Sequence, residues 1–133
     1  MNATAKAWAR PQTLAEVAAV AESRADFQNQ LRDFLHAFRA APDRDKIAAE
    51  PVVLRAKFAG GEIADAYLAA VAVELSFDLA VSRPAWTLNP GRTLKNPWFA
   101  AQSDELRAVL LHESPAGFRE RNLFVSENAL SVA

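Results

Sequence analysis

The chain has 133 residues, 15 lysines and arginines, 16 aspartates and glutamates and no cysteine, so its formal net charge is -1. This length predicts one domain, which can bury about two thirds of the surface of its unfolded chain. The balanced charge leaves no basic stripe for nucleic acid, and the lack of cysteine excludes disulfides and thiolate zinc sites.

Alanine accounts for 29 residues, and because it is the best helix former, the apolar content of 51% indicates helices. The most apolar run, 64–81, carries three acidic residues, whereas a membrane-spanning helix needs about 20 apolar residues with few charges. The start of the chain lacks the apolar stretch of a signal peptide. We therefore expect a cytoplasmic protein that does not enter the membrane.

Residues 1–12 predict a flexible or weakly helical N-terminal arm, and residues 13–133 predict a single helical domain. Thr13 and Glu16 form a capping box, in which a hydroxyl and a carboxylate satisfy the first amides of a helix. A weaker box at Ser23 leaves two alternatives, a new helix there or one long helix through residue 40. Apolar residues then recur at the helical period. They are Phe27, Leu31, Phe34, Leu35 and Phe38.

A second long helix is predicted over residues 62–81, where a wide apolar arc marks the centre of the fold. A short helix over 43–50 and a connection over 51–61 precede it. Residues 82–102 contain three prolines and two tryptophans, so they predict a loop clamped to the core rather than a long helix. A short helix from Pro90 to Leu94 stays an alternative within this loop.

Ser103 predicts the start of another helix, with acidic residues in its first turn. Its core face is predicted to be Leu106, Val109, Leu110 and in one alternative Leu111. Ser114 and Pro115 fit the N-cap and the first position of a further short helix. Residues 123–125 predict extended or irregular chain, and brief pairing of residues 123–126 with 51–54 is one alternative.

These elements predict an all-α fold, a compact single-domain helical bundle with two long helices, several short ones and a loop rich in tryptophan and proline. No stretch alternates apolar and polar residues over 4–8 positions, as a half-buried strand does. The prediction therefore contains no sheet beyond the brief pairing considered above.

The segment 113–125 is the most specific part of the sequence, because it combines a helix end, a helix start and two arginines. Arg119 and Arg121 predict either a carboxylate or phosphate site or an internal bridge, for example to Glu113. The candidate ligand or partner-binding residues are Arg119, Arg121, Glu113, His112, Asn122, Trp86 and Trp98.

His112 and Glu113 are adjacent, and neighbours in a helix do not face each other, so an acid–base pair is not favoured. We predict no catalytic residue, no metal site and no cofactor, because no catalytic, zinc or phosphate-loop motif occurs. The Ser114-Pro115 turn between two helices superficially fits a helix-turn-helix, but the second helix is short and the chain is not basic.

Several landmarks occur together: Asn89-Pro90-Gly91-Arg92 after Trp86, then Pro97-Trp98-Phe99, then Glu113-Ser114-Pro115, Phe118-Arg119 and Arg121-Asn122-Leu123-Phe124-Val125. In this pattern the chain resembles a family of small bacterial proteins and domains that is common in actinobacteria. Members occur alone or after helix-turn-helix regulators, sometimes beside genes similar to toxin–antitoxin modules. The resemblance implies that this chain acts as a regulatory or antitoxin-like partner of another protein. It implies no enzymatic activity.

The favoured hypothesis is a non-enzymatic regulatory protein that binds a protein partner. In its more specific form this protein is antitoxin-like and its partner is encoded by a neighbouring gene. A small ligand-binding or enzymatic domain using the arginine, glutamate and histidine cluster is the alternative, and a nucleic-acid-binding regulator is the second alternative. Homodimerisation is also possible, because alanine-rich helix faces with spare apolar residues can associate.

Overall fold

The computed structural model describes residues 10–131, so residues 1–9 of the predicted arm lie outside the described part of the chain. Within that part the six α-helices are α1 (Leu14–Val20), α2 (Arg24–Ala40), α3 (Asp45–Ala48), α4 (Gly61–Leu79), α5 (Asp104–Glu113) and α6 (Ala116–Arg119). Two short 3-10 helices lie at Ala85–Leu88 and Pro90–Arg92, and two short strands are β1 (Trp98–Phe99) and β2 (Leu123–Phe124). The predicted all-α class is confirmed.

Local capping divides the first helical region into α1 and α2, as one of the two alternatives predicted. The hydroxyl of Thr13 accepts a hydrogen bond from the Glu16 amide at 3.1 Å, and that of Ser23 accepts one from the Asp26 amide at 3.1 Å. Every member of the predicted apolar face of α2 is buried, namely Phe27, Leu31, Phe34, Leu35 and Phe38.

Helix α4 lies at the centre, in contact with α2, α6 and both 3-10 helices. It begins at Gly61 and ends at Leu79, and 13 of its 19 residues are buried. A helix surrounded in this way is apolar on nearly all sides. Its small residues, with alanine at 64, 66, 69, 70 and 72, let neighbouring elements approach its backbone closely.

Strand β2 pairs in parallel with β1, so the predicted pairing of residues 123–126 with 51–54 is wrong. Asn122, the residue before β2, extends this pairing. Its backbone is left-handed (φ 63°), and its carbonyl accepts a hydrogen bond from the Trp98 amide at 2.8 Å. Its side-chain amide donates to the Leu94 carbonyl at 2.7 Å. Contacts between distant loops therefore decided this pairing.

Two predictions about the following helices are also wrong. Of the predicted core face of α5, Leu110 alone is buried, and Leu106, Val109 and Leu111 are exposed. Ser114 is the residue after the end of α5, not the N-cap of α6, which begins at Ala116. Because the Ser114 hydroxyl is already 2.6 Å from the Leu110 carbonyl, it is used to close α5.

Candidate functional site

The segment 112–125 forms a joint between α5, α6 and β2. The Ser114 hydroxyl accepts a hydrogen bond from the Val125 amide at 2.9 Å, in addition to its contact with Leu110. Phe118 and Leu123 are buried completely on either side. The serine thus fastens the end of α5 to the chain beyond β2.

The two arginines of this joint are bound to different partners. The Arg119 guanidinium donates to the carbonyls of Ser114 at 2.8 Å and His112 at 3.3 Å, which are free acceptors at the end of α5. The buried Arg121 guanidinium donates to the carbonyls of Gly117 at 3.0 Å and Thr87 at 2.6 Å. Both side chains therefore bind backbone acceptors within the protein.

Glu120 lies between two guanidinium groups, those of Arg121 and of Arg83, and is 2.8 Å from Arg83 Nη1. Burial acts to raise the pKa of Glu120, but the hydrogen bonds from Arg121 and Arg83 outweigh it and hold the pKa below its ordinary value. Its carboxylate is therefore charged at neutral pH and partly neutralises the buried Arg121.

The remaining candidates are spread over the molecule. His112 is exposed on α5, whereas the Glu113 carboxylate accepts a hydrogen bond from the Glu127 amide at 3.3 Å. Trp86 is buried, and its indole N–H donates to the Ile47 carbonyl at 3.2 Å. Trp98 is half-buried beneath the guanidinium of Arg24, which lies 5.3 Å from the ring centre.

Sequence reasoning missed a buried ion pair between Asp65 on α4 and Arg92 in the second 3-10 helix. The two side chains are 0% and 1% exposed, and their charged atoms are 3.6 Å apart. The Asp65 carboxylate also accepts hydrogen bonds from the Leu54 amide at 2.6 Å and from Arg55 Nε at 3.2 Å. The acidic residue inside the apolar run of α4 was the available signal, because a buried charge needs a partner.

Arg92 is held by several further groups. It donates to the carbonyl of Pro51, contacts the Glu50 carboxylate at 3.2 Å and lies 5.1 Å from the centre of the Trp86 ring. Its Nε atom has no hydrogen-bond partner among the described residues. This cluster fastens the segment before α4 and the loop after it to the same helix, so it is structural.

Tyr67, on α4, is also removed from solvent. Its ring packs edge-to-face against Phe27, with centroids 6.2 Å apart, and against Phe118, with centroids 4.9 Å apart. Burial raises the pKa of Tyr67 to about 12, so the phenol is neutral at physiological pH. Tyr67 therefore contributes to packing rather than to proton transfer.

Helix α5 forms the most exposed regular surface of the described chain. Eight of its ten residues are exposed, and Leu106, Val109 and Leu111 are 57%, 48% and 49% accessible. We call Leu106 and Val109, which are three residues apart and so adjacent on the helix, the α5 surface. Leu111 is five residues from Leu106 and two from Val109, and so faces away from the α5 surface.

A groove of about 630 Å³ opens on another part of the molecule, between the start of α4 and the loop 90–98. Trp98 is the predicted site residue that lines it, together with Ile63, Leu94, Arg55 and Lys95. Its size falls within the range of small-molecule sites, roughly 300–1,000 Å³. The α5 surface and this groove are two places where the described chain offers an external molecule a contact, and a further groove is lined by Val20 and Lys57 among others.

A metal ion has no candidate site within residues 10–131. No group of three histidine, aspartate or glutamate side chains there is arranged to hold a metal ion. None of the described helices has the length and apolar character required to cross a membrane.

No family model matches the chain, and no curated protein or solved structure matches it significantly.

Proposed function

We propose that the protein is a non-enzymatic regulatory protein that acts by binding another protein through the α5 surface. The observation that carries the proposal is the exposure of Leu106 and Val109 on a helix that buries Leu110 alone. Isolated helices shorter than about 12–15 residues are marginal in water, so a ten-residue helix gains from a covering partner.

Local interactions hold α5 in helical form before a partner arrives. The Ser103 hydroxyl accepts a hydrogen bond from the Leu106 amide at 3.2 Å, and acidic residues occupy the first turn. Arg119 binds the carbonyls at the other end. The helix is thus preformed, which lowers the ordering cost of binding.

The charges of α5 define the partner's chemistry. Asp104, Glu105 and Glu113 are acidic, and the one arginine, Arg107, is engaged with the Ala101 carbonyl at 3.1 Å and with the Phe99 ring. Glu105 and Glu113 are each four residues from Val109 and so border the α5 surface. The matching partner presents an apolar groove with lysine or arginine at its rim, and a second copy of this helix would bring like charges together.

The antitoxin-like role and the neighbouring-gene partner belong to this proposal and are supported by the resemblance described above. The cytoplasm is the proposed compartment, where a chain without cysteine loses nothing from reducing conditions. By binding, this chain would block or recruit its partner. The partner would thus be regulated without a reaction catalysed by this chain.

The test is co-expression with the product of each adjacent gene, followed by size-exclusion chromatography with light scattering. We expect a stable complex with one product and its loss on Val109→Asp, because a carboxylate would be buried against an apolar groove. The control is Leu88→Asp, at a residue 68% exposed in the first 3-10 helix. No complex with either product, or equal loss with both variants, would refute the proposal.

A further inference from the structure

The groove beside α4 is independent of the α5 surface, because residues 55–98 form it and α5 does not line it. One wall is the first turn of α4 with Ile63, and the other is the loop that contains Leu94 and Trp98. These three side chains give the groove an apolar interior. A flat or elongated apolar group could bury its surface there.

The loop wall is fixed before any ligand binds. The Leu94 amide donates to the Arg121 carbonyl at 3.2 Å, and the Leu94 carbonyl accepts from Asn122 at 2.7 Å. The Trp98 amide is bound by the Asn122 carbonyl at 2.8 Å. Arg55 holds the near end of the loop by donating to the Gly91 carbonyl. A preformed wall saves the cost of ordering it on binding.

The lining of the groove contains two basic residues and one acidic residue, although the whole chain has a net charge of -1. Arg55 and Lys95 line it, and Arg24 lies over the Trp98 ring at 5.3 Å from the ring centre. Neither Lys95 nor Arg24 has an ion pair among the described residues. Glu62 is the acidic residue of the lining. Cations of this kind complement an anionic group.

We propose that this groove binds a small amphipathic organic anion. The apolar body of the ligand lies against Ile63, Leu94 and Trp98, and its carboxylate or phosphate lies at the rim near Lys95 and Arg55. Arg55 is already fixed by Asp65 at 3.2 Å, so Lys95 is the mobile cation that adapts to the ligand. The site is a binding site and requires no catalytic group.

The experiment uses two fluorescent probes with related aromatic rings, the anion 8-anilinonaphthalene-1-sulfonate and the uncharged N-phenyl-1-naphthylamine. We expect one molecule of the anion to bind per chain, about tenfold more tightly than the uncharged probe. Competition with benzoate and with phenyl phosphate then separates the two sources of the anionic group. Circular dichroism confirms that each variant is folded.

Lys95→Glu reverses the mobile charge and is expected to weaken binding of the anion about tenfold, with little change for the uncharged probe. The matched control is Lys57→Glu, because the Lys57 ammonium contacts the Ala19 carbonyl at 3.3 Å and lines a different groove. The proposal is overturned by equal affinity for the two probes, by no effect of Lys95→Glu, or by no binding below about 1 mM. These results would leave the α5 proposal unchanged.

Discussion

At the scale of single residues, the buried charges of Asp65 and Arg92 determine how the connection before α4 and the loop after it meet. Removing two charges from water costs several kcal/mol, so each requires the other and the hydrogen bonds around them. Asp65 binds the amide and side chain of the segment 54–55, and Arg92 binds the Pro51 carbonyl. The pair therefore specifies one arrangement of these segments.

Asp65→Asn is expected to lower the free energy of unfolding by about 3 kcal/mol, because it leaves the Arg92 guanidinium buried without its opposite charge. Asp78→Asn on the same helix is the matched control. Asp78 pairs with Arg39 at 3.2 Å on the surface, so its loss should cost less than about 1 kcal/mol. Urea denaturation measures both, and similar costs would contradict the role assigned to the buried pair.

Arg121 and Arg119 provide a second comparison between a buried and an exposed side chain. Arg121→Met should lower the free energy of unfolding by about 2–3 kcal/mol, because the carbonyls of Gly117 and Thr87 lose a charged donor. Arg119→Met should cost about 1 kcal/mol or less, since water can replace its hydrogen bonds. Thermal unfolding measures the difference. Lost partner binding by a fully folded Arg121→Met protein would instead indicate a binding site.

At the scale of elements, the start of α4 depends on a close approach between its backbone and the preceding connection. A Cβ atom on Gly61 would lie 1.9 Å from the Leu54 carbonyl oxygen, and a backbone oxygen cannot move aside easily. Leu54 is held in place because its amide donates to Asp65 at 2.6 Å. Glycine is therefore required here for space rather than for an unusual backbone angle.

Gly61→Ala is expected to lower the free energy of unfolding by about 1–3 kcal/mol through overpacking, although alanine is the better helix former. Gly91→Ala is the comparison, since its nearest neighbour is the end of the Arg55 side chain and not backbone, so the cost there is limited to disturbing the hydrogen bond from Arg55 to the Gly91 carbonyl. Chemical denaturation of the two variants gives the comparison. A Gly61→Ala protein more stable than the wild type would show that the segment 54–55 can move.

The capping residues show which helix ends can be predicted from local sequence. Thr13 and Ser103 were predicted to begin helices, and Ser23 was one of two alternatives. Each of the three hydroxyls accepts a hydrogen bond from the amide three residues later. Ser114 was assigned to the wrong helix, because a serine between two helices can close one or begin the next. Contact with Val125, 11 residues away, decided between the two.

At the scale of the whole molecule, α4 and α5 represent the two extremes of burial. Thirteen of the 19 residues of α4 are buried, whereas Leu110 is the buried residue of α5. Local opening is easiest where few apolar contacts hold an element. The protein thus combines a rigid centre with a surface helix that is held mainly by its caps and Leu110.

Hydrogen exchange followed by mass spectrometry should therefore show the strongest protection in α4 and the weakest helical protection in α5. Addition of the proposed protein partner should slow exchange in α5, because binding stabilises the helix that it covers. Helix α2, with five buried residues on one side, serves as the internal reference. Protection of α5 equal to that of α4 in the free protein would contradict this description.

The sequence by itself determined the helical class, the main caps and the buried face of α2, because these depend on interactions within three or four residues and on hydrophobic periodicity. It also identified the joint at Ser114 and Phe118 as distinctive. It assigned α5 a buried face, since an apolar side of a helix does not reveal whether the same chain covers it.

Only the tertiary structure decided the pairing of β1 with β2, the contact between Asp65 and Arg92 and the groove lined by Trp98. Each of these joins segments 25 or more residues apart, as Trp98 meets Leu123 and Asp65 meets Arg92. Local propensities do not predict such contacts, because the contacts form only when distant segments pack around α4. The candidate sites depend on the same closure, which left Leu106 and Val109 exposed and placed Lys95 at the rim of the groove.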